Sequence, residues 1–194
     1  MRVVSILFFF SVCFACFFSC KSSAGEDQLC VYLTKNSKFI LLPPEGIDKA
    51  IDMAQYISAE FRGQSYFLNA WVKADENAME MTFFYEMGAS IGDLSYRDGE
   101  AHFSSTVFPR AVMRAFKPEY ILADFQLCFY DPLLLGKSLE DGGLVLEIQD
   151  GSRRILSGDE VIIEIKKTEN TVRLENHLRG YAFTLEGDFH GNSK

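Results

Sequence analysis

The chain is poor in the residues that most often carry catalysis. It has three histidines in 194 residues, His102, His177 and His190, each isolated from the others. No Gly-x-Ser-x-Gly, His-Glu-x-x-His or P-loop spacing occurs, so no nucleophile, base and orienting partner can be named together. A binding or structural protein is therefore expected in preference to an enzyme. Cysteine is scarce where a fold could use it. Three of the five lie in the first 20 residues, and only Cys30 and Cys128 lie beyond. Beyond the leader no CxxC or Cys/His spacing points to a metal, and no metal or other cofactor is expected. Cys30 and Cys128 could form one disulfide in an oxidising compartment. Equally, they could be unrelated thiols, with Cys128 buried in its apolar run. Basic patches are missing too. A net charge of −8 and a pI of about 4.9 exclude an electrostatic footprint for nucleic acid. There is no internal repeat at a solenoid or propeller period and no low-complexity segment.

What is present begins with a leader. Arg2 is a minimal positive region, residues 3–19 are an uninterrupted apolar run, and Cys20 is followed by a small, polar stretch, KSSAGEDQ. This is the layout of a secretory signal. A cysteine directly after the small Ser19 resembles a bacterial lipobox. The resemblance implies that Cys20 receives a diacylglyceryl group and becomes the new N-terminus after cleavage. The pattern departs from the usual one at Phe17 and Phe18, where Leu and a small residue are common. Other readings are an uncleaved anchor helix, for which the run is at the short limit, and an ordinary cleaved signal. Cys16 is a competing site, but Phe17-Phe18 would make a poor tether. Each reading places the mature domain outside the cytoplasm. The division is a signal peptide at 1–19, a lipidated tether at 20–28, one domain at 29–190 and a tail at 191–194.

Beyond the tether the chain reads as strands. Residues 29–42 hold two short apolar runs, ended by Pro43-Pro44. A short helical turn is expected near residues 47–53, and strands from Gln55 onward. Tyr66, Leu68, Ala70 and Val72 alternate against Phe67, Asn69, Trp71 and Lys73. Met79, Met81, Phe83 and Tyr85 alternate against Glu80, Thr82, Phe84 and Glu86. This is the period-2 signature of half-buried antiparallel strands. Asp98-Gly99 and Asp150-Gly151 are hairpin turns. About ten strand candidates at spacings near ten residues argue for an antiparallel meander curled into a barrel or half-barrel.

Residues 118–139, PEYILADFQLCFYDPLLLGKSL, interrupt this pattern. A short helix at residues 110–117 precedes them. Ile121, Phe125 and Phe129 fall at i, i+4 and i+8, so a helix here has one apolar stripe to turn against the sheet. Asp131-Pro132 fits an N-cap with proline at the first helical position. The second helix would end near Glu140, before Gly142-Gly143. The fold class is thus mainly β with an α insert, a curled sheet plugged by short helices.

The ordered set LLPPEG, PEYILADFQLCFYDPLLL, SRRIL, VIIEI and LENHLRGYAFTLEGDF resembles a family of uncharacterised bacterial lipoproteins. The family is similar in layout to the lipoprotein carriers LolA and LolB. Its sharpest matches are Leu122, Asp124, Gln126, Leu127, Arg154, Gly180 and Tyr181. The chain departs from it after Gln126-Leu127, where Phe129-Tyr130-Asp131-Pro132 stands in place of a common Trp-Pro. The resemblance implies a curled antiparallel sheet with helices over an apolar cavity for acyl chains. It also implies an outer-membrane anchor facing the periplasm, since Lys21, not Asp, follows Cys20. A monomer is expected, with the membrane as partner through the acyl anchor and a lipid or lipoprotein as candidate ligand.

Candidate lining residues are Trp71, Phe83, Tyr85, Phe103, Ile121, Phe125, Phe129, Tyr181 and Phe183, which could hold an acyl chain or fill a solid core. Asp124 and Gln126 could bind a headgroup, but more often such residues hydrogen-bond free backbone groups where helix meets sheet. Leu133-Leu134-Leu135 is expected to be mostly core with one leucine exposed. Arg153-Arg154 is expected as a solvated strand-edge pair. The functional expectation is binding or transfer of a lipid or acylated cargo. The alternative is a structural or assembly lipoprotein with a solid core.

Overall fold

The computed structural model describes residues 28–189. A small hairpin comes first, β1 (Cys30–Tyr32) and β2 (Lys38–Ile40), followed by a single 3-10 turn at Pro44–Gly46. Five strands then meander: β3 (Ile51–Phe61), β4 (Gln64–Ala74), β5 (Met79–Phe84), β6 (Ser90–Arg97) and β7 (Glu100–Ser104). Three helices follow, α1 (Arg110–Ala115), α2 (Pro118–Phe129) and α3 (Pro132–Asp141). A second meander completes the chain: β8 (Val145–Gln149), β9 (Ser152–Ser157), β10 (Glu160–Lys167), β11 (Thr171–Asn176) and β12 (Tyr181–Glu186).

The two meanders form one antiparallel sheet of ten strands in the order β7-β6-β5-β4-β3-β12-β11-β10-β9-β8. They join where β12 pairs with β3, from Tyr181 opposite Phe61 to Glu186 opposite Tyr56. The sheet curls but does not close, so β7 and β8 are its edges. These edges are consecutive in sequence and lie at opposite sides of the sheet. The helical segment between them must therefore cross the inner face.

Turn chemistry sets the register. At Arg62-Gly63, Asp98-Gly99 and Asp150-Gly151 both residues of the pair have positive φ. That is the conformation of a two-residue turn matched to strand twist, and one for which glycine carries no steric penalty. With the register set, Leu68, Ala70, Val72, Met79, Met81 and Phe83 face inward and are buried.

Proline and aspartate set the helices. Pro118 opens α2 and Pro132 opens α3, where the missing N–H would have no helical partner. The Asp131 carboxylate accepts from the Leu133 and Leu134 amides at 2.9 and 3.1 Å. At the other end of α3, a Cβ on Gly142 would lie 2.1 Å from the Lys38 carbonyl oxygen, so only glycine lets the helix end meet β2.

The expected turn at 47–53 is not there. The turn falls earlier, at Pro44–Gly46, and β3 is already paired from Ile51, opposite Ala74. Ile47 forms an isolated bridge with Tyr130 instead. Of the three leucines, only Leu135 is core; Leu133 is 84% exposed and Leu134 half-exposed. A helix this short buries one stripe, and Leu135 shares it with Leu139.

Arg153 is the larger correction. It is 7% exposed, and its Nη1 donates to the Leu127 and Tyr130 carbonyls at 3.0 and 2.9 Å. Adjacent strand residues face opposite ways. Arg154 therefore meets Glu164 at 3.1 Å while Arg153 points inward with Ile155.

Gln126 ties α2 to the N-terminal segment. Its Nε2 donates to the Leu42 carbonyl at 2.7 Å, and its Oε1 accepts from the Leu42 amide at 2.9 Å. Gln126 is 0% exposed, so Gln126→Leu would strand both backbone groups of Leu42. We expect it to destabilise the fold by about 2–3 kcal/mol, seen as a lower urea midpoint with an unchanged m-value.

Candidate functional site

Between the helical segment and the middle of the sheet lies a cavity of about 230 Å³. Its floor is the inner face of β3, β4, β5 and β12, and its roof is the end of α1 and the first half of α2. The space exists because Ala59 and Ala70 stand on inward positions where the sheet could carry bulk; Leu68, Val72 and Met81 complete the floor. From the roof, Phe116, Ile121 and Phe125 face down. The walls are almost wholly apolar. Polar lining is confined to Gln55 at one end and to Arg62, Lys117, Asp124, Arg179 and Tyr181. A second, open and polar depression of about 490 Å³ shares Phe61, Arg62, Tyr181 and Ala182 with the cavity.

Asp124 and Tyr181 form the hydrogen-bonded pair of the site. The Tyr181 hydroxyl donates to both carboxylate oxygens of Asp124, at 2.9 and 2.7 Å, and accepts from Asn176 Nδ2 at 3.3 Å. Burial pushes the Asp124 carboxyl from the usual 3.8 up to about 6, against the opposing pull of the Tyr181 hydroxyl and the Arg179 guanidinium. Burial and the Asp124 charge together push the Tyr181 phenol well above its usual range. Arg179 lies 4.4 Å over the Tyr120 ring and donates to the Tyr32 carbonyl. These contacts join the helical roof, β12 and the small hairpin at one corner.

Of the nine candidate lining residues, Phe83, Ile121, Phe125, Tyr181 and Phe183 line the cavity. Phe129 is buried behind it, between Phe125 at 4.7 Å and Phe189 at 5.7 Å. Phe103 packs on Phe116 at 4.3 Å without reaching the cavity, and Tyr85 packs against the core at the end of β5. Trp71 does not belong to the site. It is 50% exposed on the outer face, and its Nε1 donates to Asp52 at 2.9 Å. Period 2 puts it opposite Ala70 and Val72, which line the cavity.

Asp124 and Gln126 separate as well. Gln126 bonds backbone, as expected, whereas Asp124 bonds the Tyr181 side chain at the cavity. Cys128 is buried, its thiol is pushed up to about 12 by burial, and it forms no disulfide with Cys30. Glu164, Glu175 and His177 cluster on the outer face, but Glu164 meets Arg154 and Lys166, and Glu175 meets Arg173. Cys20 with the leader and tether, and His190 with the tail, lie outside the described residues.

Gln55, Arg62, Lys117, Arg179 and the alanines at 59 and 70 carry no site motif in the sequence. The alanines did leave a signal, since Ala70 interrupts an inward series of larger residues.

Fold and site together define an open antiparallel half-barrel roofed by helices over an apolar cavity. Residues 52–187 match a family described as proteins of unknown function, DUF3261, and the chain belongs to that family. No curated protein matches the chain.

The Asp124 shift has a sign that can be checked. Its carboxyl holds protons more tightly folded than unfolded, so its contribution to stability is full below pH 4 and is lost as pH rises through 6. Asp124→Asn should remove that downward slope between pH 4 and 6. Urea unfolding of both proteins at steps across that range measures it; parallel profiles would refute the assignment.

Proposed function

We propose that the protein is a lipid-anchored extracytoplasmic carrier that binds or transfers a lipid or acylated cargo, in the manner of LolB. The observation that carries this is the apolar cavity of about 230 Å³ between helices and sheet. By volume it exceeds the roughly 150 Å³ that accommodates benzene, and so has room for about nine carbons. Burying that many methylenes releases about 7 kcal/mol before the costs of association. One chain, or the end of one, fits the cavity as it stands. The cavity counts against the alternative of a structural or assembly lipoprotein with a solid core.

The roof is built to move at one end. The C-terminal end of α2 is held by Gln126 and Arg153, and by the Asp48 amide donating to the Phe129 carbonyl at 3.1 Å. Its N-terminal end has no side-chain cap, and α1 before it has no fully buried residue. A chain would enter under this N-terminal end, past Lys117 and Ile121. The neighbouring polar depression suits the head of an amphiphile. Within this reading Asp124 and Tyr181 set the polar edge of the cavity. The protein binds and does not catalyse.

The anchor is Cys20, with Lys21 after it favouring the outer membrane and a domain facing the periplasm. A multiply acylated cysteine gives stable anchoring, at roughly 0.8 kcal/mol per buried methylene.

Two experiments test the proposal. Protein purified from its native membrane should carry lipid detectable by mass spectrometry and take up a fluorescent fatty acid. Ala70→Phe, which fills the cavity, should abolish uptake; uptake unchanged in that variant would place binding elsewhere. Separately, radioactive palmitate should label the wild-type chain and not Cys20→Ser, and persistent label in the variant would overturn the anchor.

A further inference from the structure

The cavity contains one group that a plain hydrocarbon chain would leave stranded. Gln55 sits on β3 at an inward position, opposite Ala70 of β4, which is in turn opposite Phe83 of β5. It is 3% exposed, it lines the cavity, and its Nε2 has no acceptor among the described residues. The contrast with Gln126 is instructive, because that glutamine bonds through both ends of its amide. A buried donor without a partner is among the costlier defects a core can hold, and a leucine of similar size would avoid it.

Position says which part of a ligand would meet it. Gln55 lies among the fully buried lining residues Val72, Met81 and Leu185, whereas Arg62, seven residues on, is exposed at the turn after β3. Along the strand the two ends are roughly 20 Å apart. Arg62 puts a cation at the exposed end, and the end with Gln55 is buried. An acyl chain entering with its head at that cation brings its far portion to Gln55. An N–H donor in an apolar wall accepts no hydrogen bond from a cation and gains nothing from a methyl group. It is satisfied by an oxygen lone pair.

We propose that the cavity takes a single-chain acidic lipid whose inserted chain carries an oxygen, as hydroxyl, ketone or ester carbonyl, and that Gln55 Nε2 donates to that oxygen. This rests on the carrier reading and narrows it from lipids in general to oxygenated chains.

The test is competition against a bound fluorescent fatty acid, using the purified full-length chain. The competitors are saturated acids of ten to sixteen carbons and their terminal-hydroxy counterparts. At a length that brings the hydroxyl to Gln55, the hydroxy acid should bind about tenfold tighter than the plain acid. Gln55→Leu should abolish the preference, gain affinity for the plain acids and raise Tm by about 2–4 °C. Gln55→Met, of similar shape, gives the same comparison if the leucine variant folds poorly. Plain acids that compete while no hydroxy acid is preferred at any length would overturn the inference and leave the carrier reading standing. The same preference in wild type and variant would also overturn it. If no acid of either kind competes, both fall.

Discussion

The end of α2 is where the structure is pinned. A helix leaves its last carbonyls without helical partners, and here the Leu127, Phe129 and Tyr130 carbonyls all point into the protein interior. Arg153 takes two of them and the Asp48 amide takes the third. A cation at a helix C-terminus also complements the helix dipole. Because Arg153 belongs to β9 and Asp48 precedes β3, this one cluster fastens the helical segment to both halves of the sheet. Gln126 adds the N-terminal hairpin to the same node. The placement of the roof, and hence the existence of a space beneath it, depends on these few bonds.

The remaining contacts of the segment are apolar and graded along its length. Leu122, Leu127 and Cys128 are fully buried toward the pinned end, while Tyr120 and Ile121 near the start are only partly covered. The floor carries alanine at 59 and 70. Sheet and helix therefore touch closely at one end and stand apart at the other. Empty volume in a core forfeits packing energy, and a buried donor at Gln55 adds to the deficit. Both departures from an economical core fall in the same cavity.

Much of the architecture was legible. Period-2 runs located the strands of both meanders, the Asp-Gly pairs located two hairpins, and Asp131-Pro132 located the start of α3. The stripe of Ile121, Phe125 and Phe129 correctly turned α2 inward. The candidate site was legible in part. Five of nine aromatic and aliphatic candidates line the cavity; Trp71 does not, because its register on β4 sets it on the outer face. Strand alternation separates Arg153, which faces inward, from Arg154, which meets Glu164. Gln55 offered no local sign, since a polar residue in a strand reads as solvent-facing until its neighbours on both sides are known.

The places of strands and turns, the apolar face of each strand and the helical insert between two β halves are all written in the linear chain. Those features are local, set by side-chain period, by proline at helix starts and by glycine or aspartate at positive φ. That the two halves join through β3 and β12 emerges in the folded molecule alone; it puts the edges β7 and β8 at opposite sides and forces the insert across the face between them. That arrangement turns Arg153 from a surface charge into the cap of α2. It also turns two alanines and a glutamine from unremarked strand residues into the walls of a cavity. Residues 57–185 apart in sequence meet there, as Ile57 does Leu185, and no period along the chain encodes a distance of that kind.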